Sequence, residues 1–258
     1  MHQELSTYDH YIFALVALIG TFGAVGLTLW LSQQSRYAAV IHSFRGITPP
    51  FLNVIGVLFA LNLAFLANDT WSAHDRARDA VFQEAGALAN IKVEALRLPP
   101  PLRDKVLAAV DDYVRQATTV EWPLLGNRQS SQIASHELDA LLALLSAAEV
   151  GEALGSGAHS LVMAQVVAAR STHDMRVALS QTHVNPLKWL GMAFLGFLTL
   201  VSIVAVHVDQ VRAAVVASLL FAAASAPTAA IVLIQGNPFQ EPMGVSAAPI
   251  AALLAGGK

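Results

Sequence analysis

Long apolar segments without an acidic or basic side chain occur four times along the chain, at residues 10–35, 46–68, 189–208 and 213–240. The hydrocarbon core of a bilayer is about 30 Å thick, and an α-helix needs roughly 20 residues to cross it. Each segment is long enough, so we predict four transmembrane helices, over about 10–32, 48–68, 188–208 and 213–234. The last helix should end near Ile234 because the turn-rich segment "QGNPFQEPMG" follows it.

The residues between the second and third spans carry most of the charge and show helical periodicity. One apolar stripe is Phe82, Ala85, Ala89, Val93 and Leu96; a second lies within 102–120, after the prolines of "LPPPL" have ended the first helix. Two more helices are predicted over about 133–153 and 158–184. No segment alternates as a strand. The fold class is therefore an all-α membrane protein with a helical cytoplasmic domain between spans two and three.

This pattern divides the chain into three parts. Residues 1–69 hold the first pair of spans, residues 70–186 form the helical domain, and residues 187–258 hold the second pair with a short tail. Four spans place both termini and the helical domain on one side of the membrane. Basic residues near the membrane favour the cytoplasm for that side: Arg76, Arg78, Arg170, Arg176 and Lys188 against Arg36, Arg45 and Arg212.

Small residues in the spans indicate where helices approach each other closely. They cluster in "GTFGAVG" at 20–26 and in "AAVVASLLFAAASA" at 213–226. Spans associate through such residues because lipid offers no hydrophobic drive between helices. An alanine-rich composition without a packing role is the alternative interpretation.

Composition excludes several classes of protein. The chain of 258 residues is 55% apolar and 13% charged, which is too little charge to cover a soluble domain of this size. Its formal net charge of −3, with no Lys/Arg cluster, argues against nucleic acid as a partner. Without cysteine there is no disulfide and no Cys-based zinc site, and no catalytic or phosphate-binding motif occurs. We expect no enzyme activity, no cofactor and no metal.

The second span contains more amide side chains than its apolar character requires. At 100° per residue, one face of this helix carries Asn53, Val57, Ala60, Ala64 and Asn68, and the opposite side carries Phe51, Asn62 and Asp69. Amides in hydrocarbon are costly unless they have partners, so neither face can lie wholly against lipid. The first face is expected to line a water-filled pore, and the second to contact other helices or to be an alternative pore face. A purely interhelical role for all three amides stays open.

A polar band on the last helix of the cytoplasmic domain is a further candidate site. His173, Arg176, Ser180 and His183 fall on one side of that helix. A solvated helix face is the favoured interpretation. Binding of an anion or of a metal is the alternative. The adjacent pairs His74-Asp75 and His136-Glu137 do not form catalytic dyads, because neighbouring residues of a helix do not face each other.

Several segments together resemble the bestrophin-like family of bacterial and plant membrane proteins. They are "TPPFLNVIGVLFALNLAFLANDTWSAHDRARDAV", "EWP" at 121–123, Asn185-Pro186 and "GNPFQEPMGVS". The resemblance extends to true bestrophins through a proline, a glycine, and an aromatic–Asn–aromatic pattern in their second helix. The counterparts here are Pro50, Gly56, Phe65, Asn68 and Trp71.

Bestrophins are pentameric anion channels, so the resemblance implies an oligomeric chloride-type channel in the bacterial inner membrane, with lipid, inorganic ions and its own copies as partners. The glycine alignment places Asn53 and Val57 near two positions of the apolar neck. The chain departs from bestrophins there, because an amide replaces an aromatic gate and Leu66 stands where arginine is usual. The alternative function is a membrane scaffold or stress-signalling protein whose cytoplasmic helices bind a partner.

Overall fold

The computed structural model describes residues 2–33, 38–43, 48–181 and 186–255. Arg36 and Arg45, used to orient the chain, lie outside these ranges, as do His183 of the polar band and Asn185 of the Asn-Pro motif. The helices that contain the predicted spans are α1 (His2–Gln33), α3 (Thr48–Ala95), α9 (Pro186–Val206) and α10 (Val211–Ile234). The others are α2 (Ala38–Ser43), α4 (Pro100–Arg115), α5 (Trp122–Gly126), α6 (Gln132–Leu145), α7 (Ala148–Leu154), α8 (Ser156–Ser180) and α11 (Ala248–Ala255).

The prediction of an all-α membrane protein with four spans is confirmed. Within the described ranges, four helices are long and apolar enough to cross a membrane, and no strand occurs. The helical segments that each contain an apolar window of 18 residues are Ile12–Gln33, Pro50–Ala95, Pro186–Val206 and Val211–Ile234. The second segment belongs to α3, a single helix of 48 residues that continues well beyond the predicted end of the span at residue 68.

The chain divides into two compact units. The spanning unit comprises residues 1–71 and 183–236, and the helical unit comprises residues 72–182 and 237–258. The C-terminal residues, which the sequence suggested as a tail of the last span, thus belong to the helical unit.

Small residues of α10 pack closely inside the spanning unit. Ala214, Ser218, Ala222 and Ala226 are spaced four residues apart and are buried, and α10 packs against α1 and α9. The glycines of the "GTFGAVG" segment behave differently from the prediction. A Cβ added at Gly20, Gly23 or Gly26 would meet nothing within 4 Å, so these glycines do not mark close helix contacts within the chain.

The buried stripe of α3 in the helical unit differs from the predicted one. The residues that reach the core include Ala77, Val81, Leu88, Ile91 and Ala95, with Glu84 among them, and also Ala85 of the predicted stripe. Of the predicted stripe, Phe82, Val93 and Leu96 are exposed. The predicted helical periodicity is therefore present, but only Ala85 of the stripe is buried, Ala89 is partly buried, and the large side chains lie on a face that the chain itself does not cover.

Two helix boundaries also differ from the prediction. The helix expected over 133–153 is broken at Ser146 and Ala147 into α6 and α7, and the next helix begins at Ser156 after Gly155, whose φ of 76° favours glycine.

Between α4 and α5 the chain makes a π-helical turn, Gln116–Glu121. Pro123 follows this turn and lacks the N–H that a regular helix requires, which a widened turn accommodates.

Candidate functional site

The face of α3 that carries Asn53, Val57, Ala60, Ala64 and Asn68 is exposed in the spanning unit. Ile55 and Leu66 of the same stretch lie roughly opposite, whereas Ala67 lies at the edge of the exposed face, about 40° from Asn53. Ile55, Leu66 and Ala67 are buried, and Leu66 and Ala67 pack against Met192 of α9 and against Ala229 and Val232 of α10. These contacts anchor α3 to α9 and α10, and the five residues of the predicted pore face are left exposed by the chain itself.

Asn62 lies on a different side from the other two amides. Its side chain is half-buried, and a Cβ added at Gly191 of α9 would lie 3.8 Å from its Nδ2 atom. Asn62 thus faces a neighbouring helix, whereas Asn53 and Asn68 do not. Phe51, grouped with Asn62 in the sequence, is 54% exposed.

Asp69 forms an ion pair that the sequence did not suggest. Its Oδ2 atom accepts from Nζ of Lys188 in α9 at 2.5 Å, and both side chains are about half exposed. Nearby on α3, Trp71 donates from Nε1 to the side chain of Gln235 at 3.1 Å. These contacts join α3 to α9 and to the end of α10 within the spanning unit. The charge of Asp69 is balanced by Lys188.

The polar band of α8 is buried, which corrects the prediction of a solvated face. His173, Arg176 and Ser180 are all 1% exposed or less. Arg176 donates from Nε to Oε2 of Glu84 at 3.0 Å, and its Nη1 lies 3.0 Å from Oε2 of Glu121. Both carboxylates come from elements other than α8. Arg176, which the sequence pattern predicted to be at the surface, is therefore the centre of a buried network.

His173 and Tyr113 complete this network. Nε2 of His173 donates to Glu121, 3.1 Å from Oε1, and the hydroxyl of Tyr113 donates to Glu84. The indole of Trp122 lies under the guanidinium of Arg176, 5.0 Å from ring centroid to Cζ. We call Glu84, Tyr113, Glu121, His173 and Arg176 the charge network.

The pKa values follow from this geometry. Burial, then the carboxylate of Glu84, raises the pKa of Tyr113 well above its ordinary value. Burial alone would raise the pKa of Glu121, but the hydrogen bond from His173 and the charge of Arg176 outweigh it, so that pKa is lowered. Burial opposes the charge of Arg176, yet the nearby Glu84 and its other partners raise its pKa. Glu121 and Arg176 are therefore both charged at neutral pH.

The charge network joins α3, α4, the π-helical turn and α8. Its carboxylates are already occupied by Arg176, His173, Tyr113 and the backbone N–H of Ser131. In the part of the chain that the structure describes, no three His, Asp or Glu side chains are grouped as metal ligands. The network thus links four elements within the helical unit, and its described side chains are buried in contact with one another.

Comparison with known families identifies the chain. A family model described as the Bestrophin-like domain matches residues 19–250. The chain belongs to the bestrophin-like family. No curated protein and no solved structure matches it. The four apolar helices and the family together make this bestrophin-like chain an integral membrane protein.

Two motifs of the bestrophin-like chain contact each other in the helical unit. Trp122 of "EWP" packs its ring edge-on against Phe239 of "GNPFQEPMGVS", with 5.5 Å between the ring centroids. Its Nε1 atom donates to the carbonyl of Val245 in the same motif. Asn237 donates to the carbonyls of Leu125 and Gly126 at 2.9 and 3.1 Å. The "EWP" motif also contains Glu121 of the charge network. The C-terminal segment therefore packs next to the π-helical turn that carries this acid.

The rest of the C-terminal segment is fixed to the same unit. Ile250 of α11 is fully buried, and Lys92 donates to the carbonyl of Leu253 and to Asp111, at 2.8 and 2.9 Å. A Cβ at Gly244 would lie 2.8 Å from the carbonyl carbon of Phe239, so this turn requires glycine. The segment suggested as a turn-rich tail is an ordered part of the fold.

Sequence reasoning missed Glu84, Tyr113 and Glu121. One signal was present for Glu84, which follows Ala77 and Val81 and precedes Leu88 and Ile91 at helical spacing, so an acid interrupts an otherwise apolar stripe. A buried acid requires a buried partner. The arginine that meets this need lies 92 residues further along the chain, where the sequence gives no direct link to Glu84.

Proposed function

We propose that the bestrophin-like chain is a subunit of an oligomeric ion channel, with its pore lined by the exposed face of α3 and with anions slightly favoured over cations. The exposure of Asn53 and Asn68 on a membrane-spanning helix supports this proposal most strongly. An amide in contact with hydrocarbon lacks hydrogen-bond partners, and only water, an ion or another subunit supplies them there. A ring of subunits around a hydrated axis meets this requirement at both positions.

Each residue of this face has a role in the proposed pore. A ring of Asn53 side chains presents amide donors to an anion, and a ring of Val57 forms an apolar collar that gates by dewetting. Val57 is 58% exposed, so its side chain is free to contribute to such a collar. Ala60 and Ala64 keep the path wide below it. Asn68 is the second polar position.

The ion pair of Asp69 bears on the choice of ion. A ring of unpaired Asp69 carboxylates would attract cations if it faced the pore. Lys188 neutralises Asp69 at 2.5 Å, which removes most of that bias. A ring of amides offers N–H donors to an anion and carbonyl oxygens to a cation, so it serves either sign, and the family alone favours anions slightly.

A second exposed surface supports an oligomer. An apolar stripe lies on α3 in the helical unit and consists of Phe82, Ala89, Val93 and Leu96. Its three large side chains are exposed: Phe82 by 59%, Val93 by 62% and Leu96 by 63%. An apolar stripe at helical spacing that is left uncovered is typical of a contact with another chain. A second copy is the occupant we propose, in a cyclic assembly for which the family favours five subunits.

We expect the protein in lipid nanodiscs to have the mass of a ring of identical subunits. Placing a charge in the stripe with Val93→Glu should dissociate the ring, because burying an unpaired carboxylate costs several kcal/mol per interface. Mass photometry or native mass spectrometry measures this. The matched control is Gln83→Glu, which introduces the same charge at an exposed position of the same helix and should leave the mass unchanged. A wild-type monomer would contradict the channel.

The proposed location is the bacterial inner membrane, with both termini and the helical unit in the cytoplasm. A reporter fused after Lys258 and a single cysteine introduced in the 127–131 loop should both be found on the cytoplasmic side. Detection of the two on opposite sides of the membrane would rule out the four-span topology.

The exposed apolar residues of α8 favour the second candidate function. Leu161, Val167 and Met175 are about half exposed, and such a surface suits a protein partner. In this case the chain is a membrane scaffold or stress-signalling protein. A ring that conducts no ion under any tested voltage or salt, and that retains a partner through α8, would favour the scaffold.

A further inference from the structure

A cavity of about 560 Å³ lies within the spanning unit. Its walls come from α1, α3, α9 and α10, including Gly20, Phe59, Trp189, Leu200 and Phe221. Along α9 it extends from Pro186 to Leu200, which corresponds to about 21 Å at the helical rise of 1.5 Å per residue. The volume lies in the range of sites that hold a small molecule. The space is therefore long and narrow, and it runs along a span.

The cavity opens sideways, towards the surface of the spanning unit. Val16 and Gly20 of α1 and Leu190 and Phe197 of α9 are lining residues that are exposed. This surface belongs to helices that cross the membrane, so a molecule can enter from the bilayer between α1 and α9. An opening of this kind suits an acyl chain.

The polar groups that line the cavity favour a bound molecule that carries a hydrogen-bond acceptor. The hydroxyls of Thr21 and Ser225 are satisfied by carbonyls of their own helices, at 2.7 and 2.8 Å. Nε1 of Trp189 is buried and has no hydrogen-bond partner among the described residues. An N–H without a partner is unfavourable in an apolar site. An ester carbonyl at this position would accept from it.

Charge at the same end of α9 complements a phosphate. Lys188 precedes Trp189 in the sequence, and its side chain is 55% exposed. Its ammonium has three donors, and the ion pair with Asp69 uses one of them. Tryptophan and lysine are the residues that anchor a span at the level of lipid headgroups. Nζ of Lys188 and Nε1 of Trp189 thus lie at the level of the phosphate and the ester groups of a phospholipid. The apolar cavity continues from there along α9, in the direction in which an acyl chain would extend.

We propose that this cavity is a binding site for one phospholipid, with an acyl chain along α9, an ester carbonyl accepting from Nε1 of Trp189, and the phosphate near Lys188. The lining of the cavity does not include the proposed pore face, but Lys188 is used in both proposals, because its ion pair with Asp69 also bears on the choice of ion. A phospholipid held there would be retained when bulk lipid is removed.

The test uses the full-length protein in vesicles of phosphatidylethanolamine and phosphatidylglycerol, with a trace of phosphatidylglycerol that carries a photoreactive diazirine in one acyl chain. After illumination, peptide mass spectrometry should place the label on α1 and α9 residues of the cavity. Gly20→Leu should abolish this label, because a side chain at Gly20 projects into open space within the cavity. Gly23→Leu is the matched control, since Gly23 also faces open space but does not line the cavity.

A second variant tests the hydrogen bond. Trp189→Phe keeps an aromatic ring and removes the N–H, so retention of phospholipid through detergent washing should fall about fivefold, the effect of one hydrogen bond of roughly 1 kcal/mol. The measurement on Trp189→Phe remains informative if the Gly20→Leu protein fails to insert into the membrane. Label spread evenly over lipid-facing residues would overturn the proposal. A cavity that stays unlabelled while Gly20→Leu, and not Gly23→Leu, dissociates the oligomer would show that a second copy fills it.

Discussion

Liposomes that contain the Val57→Ala variant should pass chloride faster than liposomes with the wild-type protein. The substitution removes two methyl groups from each subunit of the proposed apolar collar, which widens it and eases wetting. Asn53→Leu should act in the opposite direction. Each subunit then loses an amide hydrogen bond of roughly 1 kcal/mol to the partly dehydrated ion, and the combined loss slows flux by on the order of tenfold or more. Halide-sensitive dye trapped in the liposomes measures both effects.

The matched control is Leu58→Ala. Leu58 is exposed to a similar extent as Val57 but lies about 100° further round the helix. Leu63, a natural choice from the sequence, is less suitable because it packs against the buried cluster around Leu66 and Met192. Faster flux in Leu58→Ala, with no change in Val57→Ala, would move the pore to the side that carries Phe51, Asn62 and Asp69.

Replacing Arg176 by methionine should destabilise the helical unit by about 3–5 kcal/mol, the cost of breaking a buried ion pair from one side. Glu84 and Glu121 would remain buried without their cation. At a denaturant dependence of about 2 kcal/mol per molar, the urea midpoint should fall by roughly 2 M. Pulse proteolysis of the full-length protein in nanodiscs reads the midpoint from cleavage within residues 72–182.

Arg170→Met on the same helix is the control for this effect. Arg170 is partly exposed and pairs with Asp139 and Asp174 at the surface, so its loss should cost less than about 1 kcal/mol. Adding Glu84→Gln and Glu121→Gln to Arg176→Met removes the unpaired charges and should restore much of the stability. Equal effects of Arg170→Met and Arg176→Met would refute the role assigned to the charge network.

The four spans could be predicted from the sequence because length and the absence of charge decide whether a helix can cross a bilayer. Finer boundaries could not. The break between α6 and α7 at Ser146 and Ala147 carries neither glycine nor proline, so no local signal marks it. The continuity of α3 was equally hidden, since a change from apolar to charged residues at position 69 resembles the end of a helix.

The charge network shows why burial is harder to predict than secondary structure. His173, Arg176 and Ser180 share a helix face, and three polar residues on a face ordinarily indicate solvent. Their burial depends on Glu84 and Glu121, which come from other helices. The apolar stripe at 82–96 illustrates the converse case. Its periodicity predicted a helix, but which of two apolar faces enters the core is decided by tertiary packing.

For the proposed pore, the sequence supplied the grouping of residues into faces, and the structure adds which side is anchored. Ile55, Leu66 and Ala67 turn towards the chain's own core, and Asn62 lies beside Gly191. The amides at 53 and 68 are left on the uncovered side. In the proposed channel other copies of the chain surround that side, and the pore axis stays a prediction.

Thiol labelling along α3 tests the pore most directly. The protein contains no cysteine, so each single substitution introduces the only thiol. In nanodiscs, a charged, membrane-impermeant thiosulfonate should modify cysteines on the proposed pore face, at positions 53, 57, 60, 64 and 68, and should spare cysteines at 54, 58 and 65. That pattern, a labelled stripe on one side of the helix, is the result expected for a hydrated axis. Protection at all eight positions in an intact oligomer would contradict a pore along this face of α3.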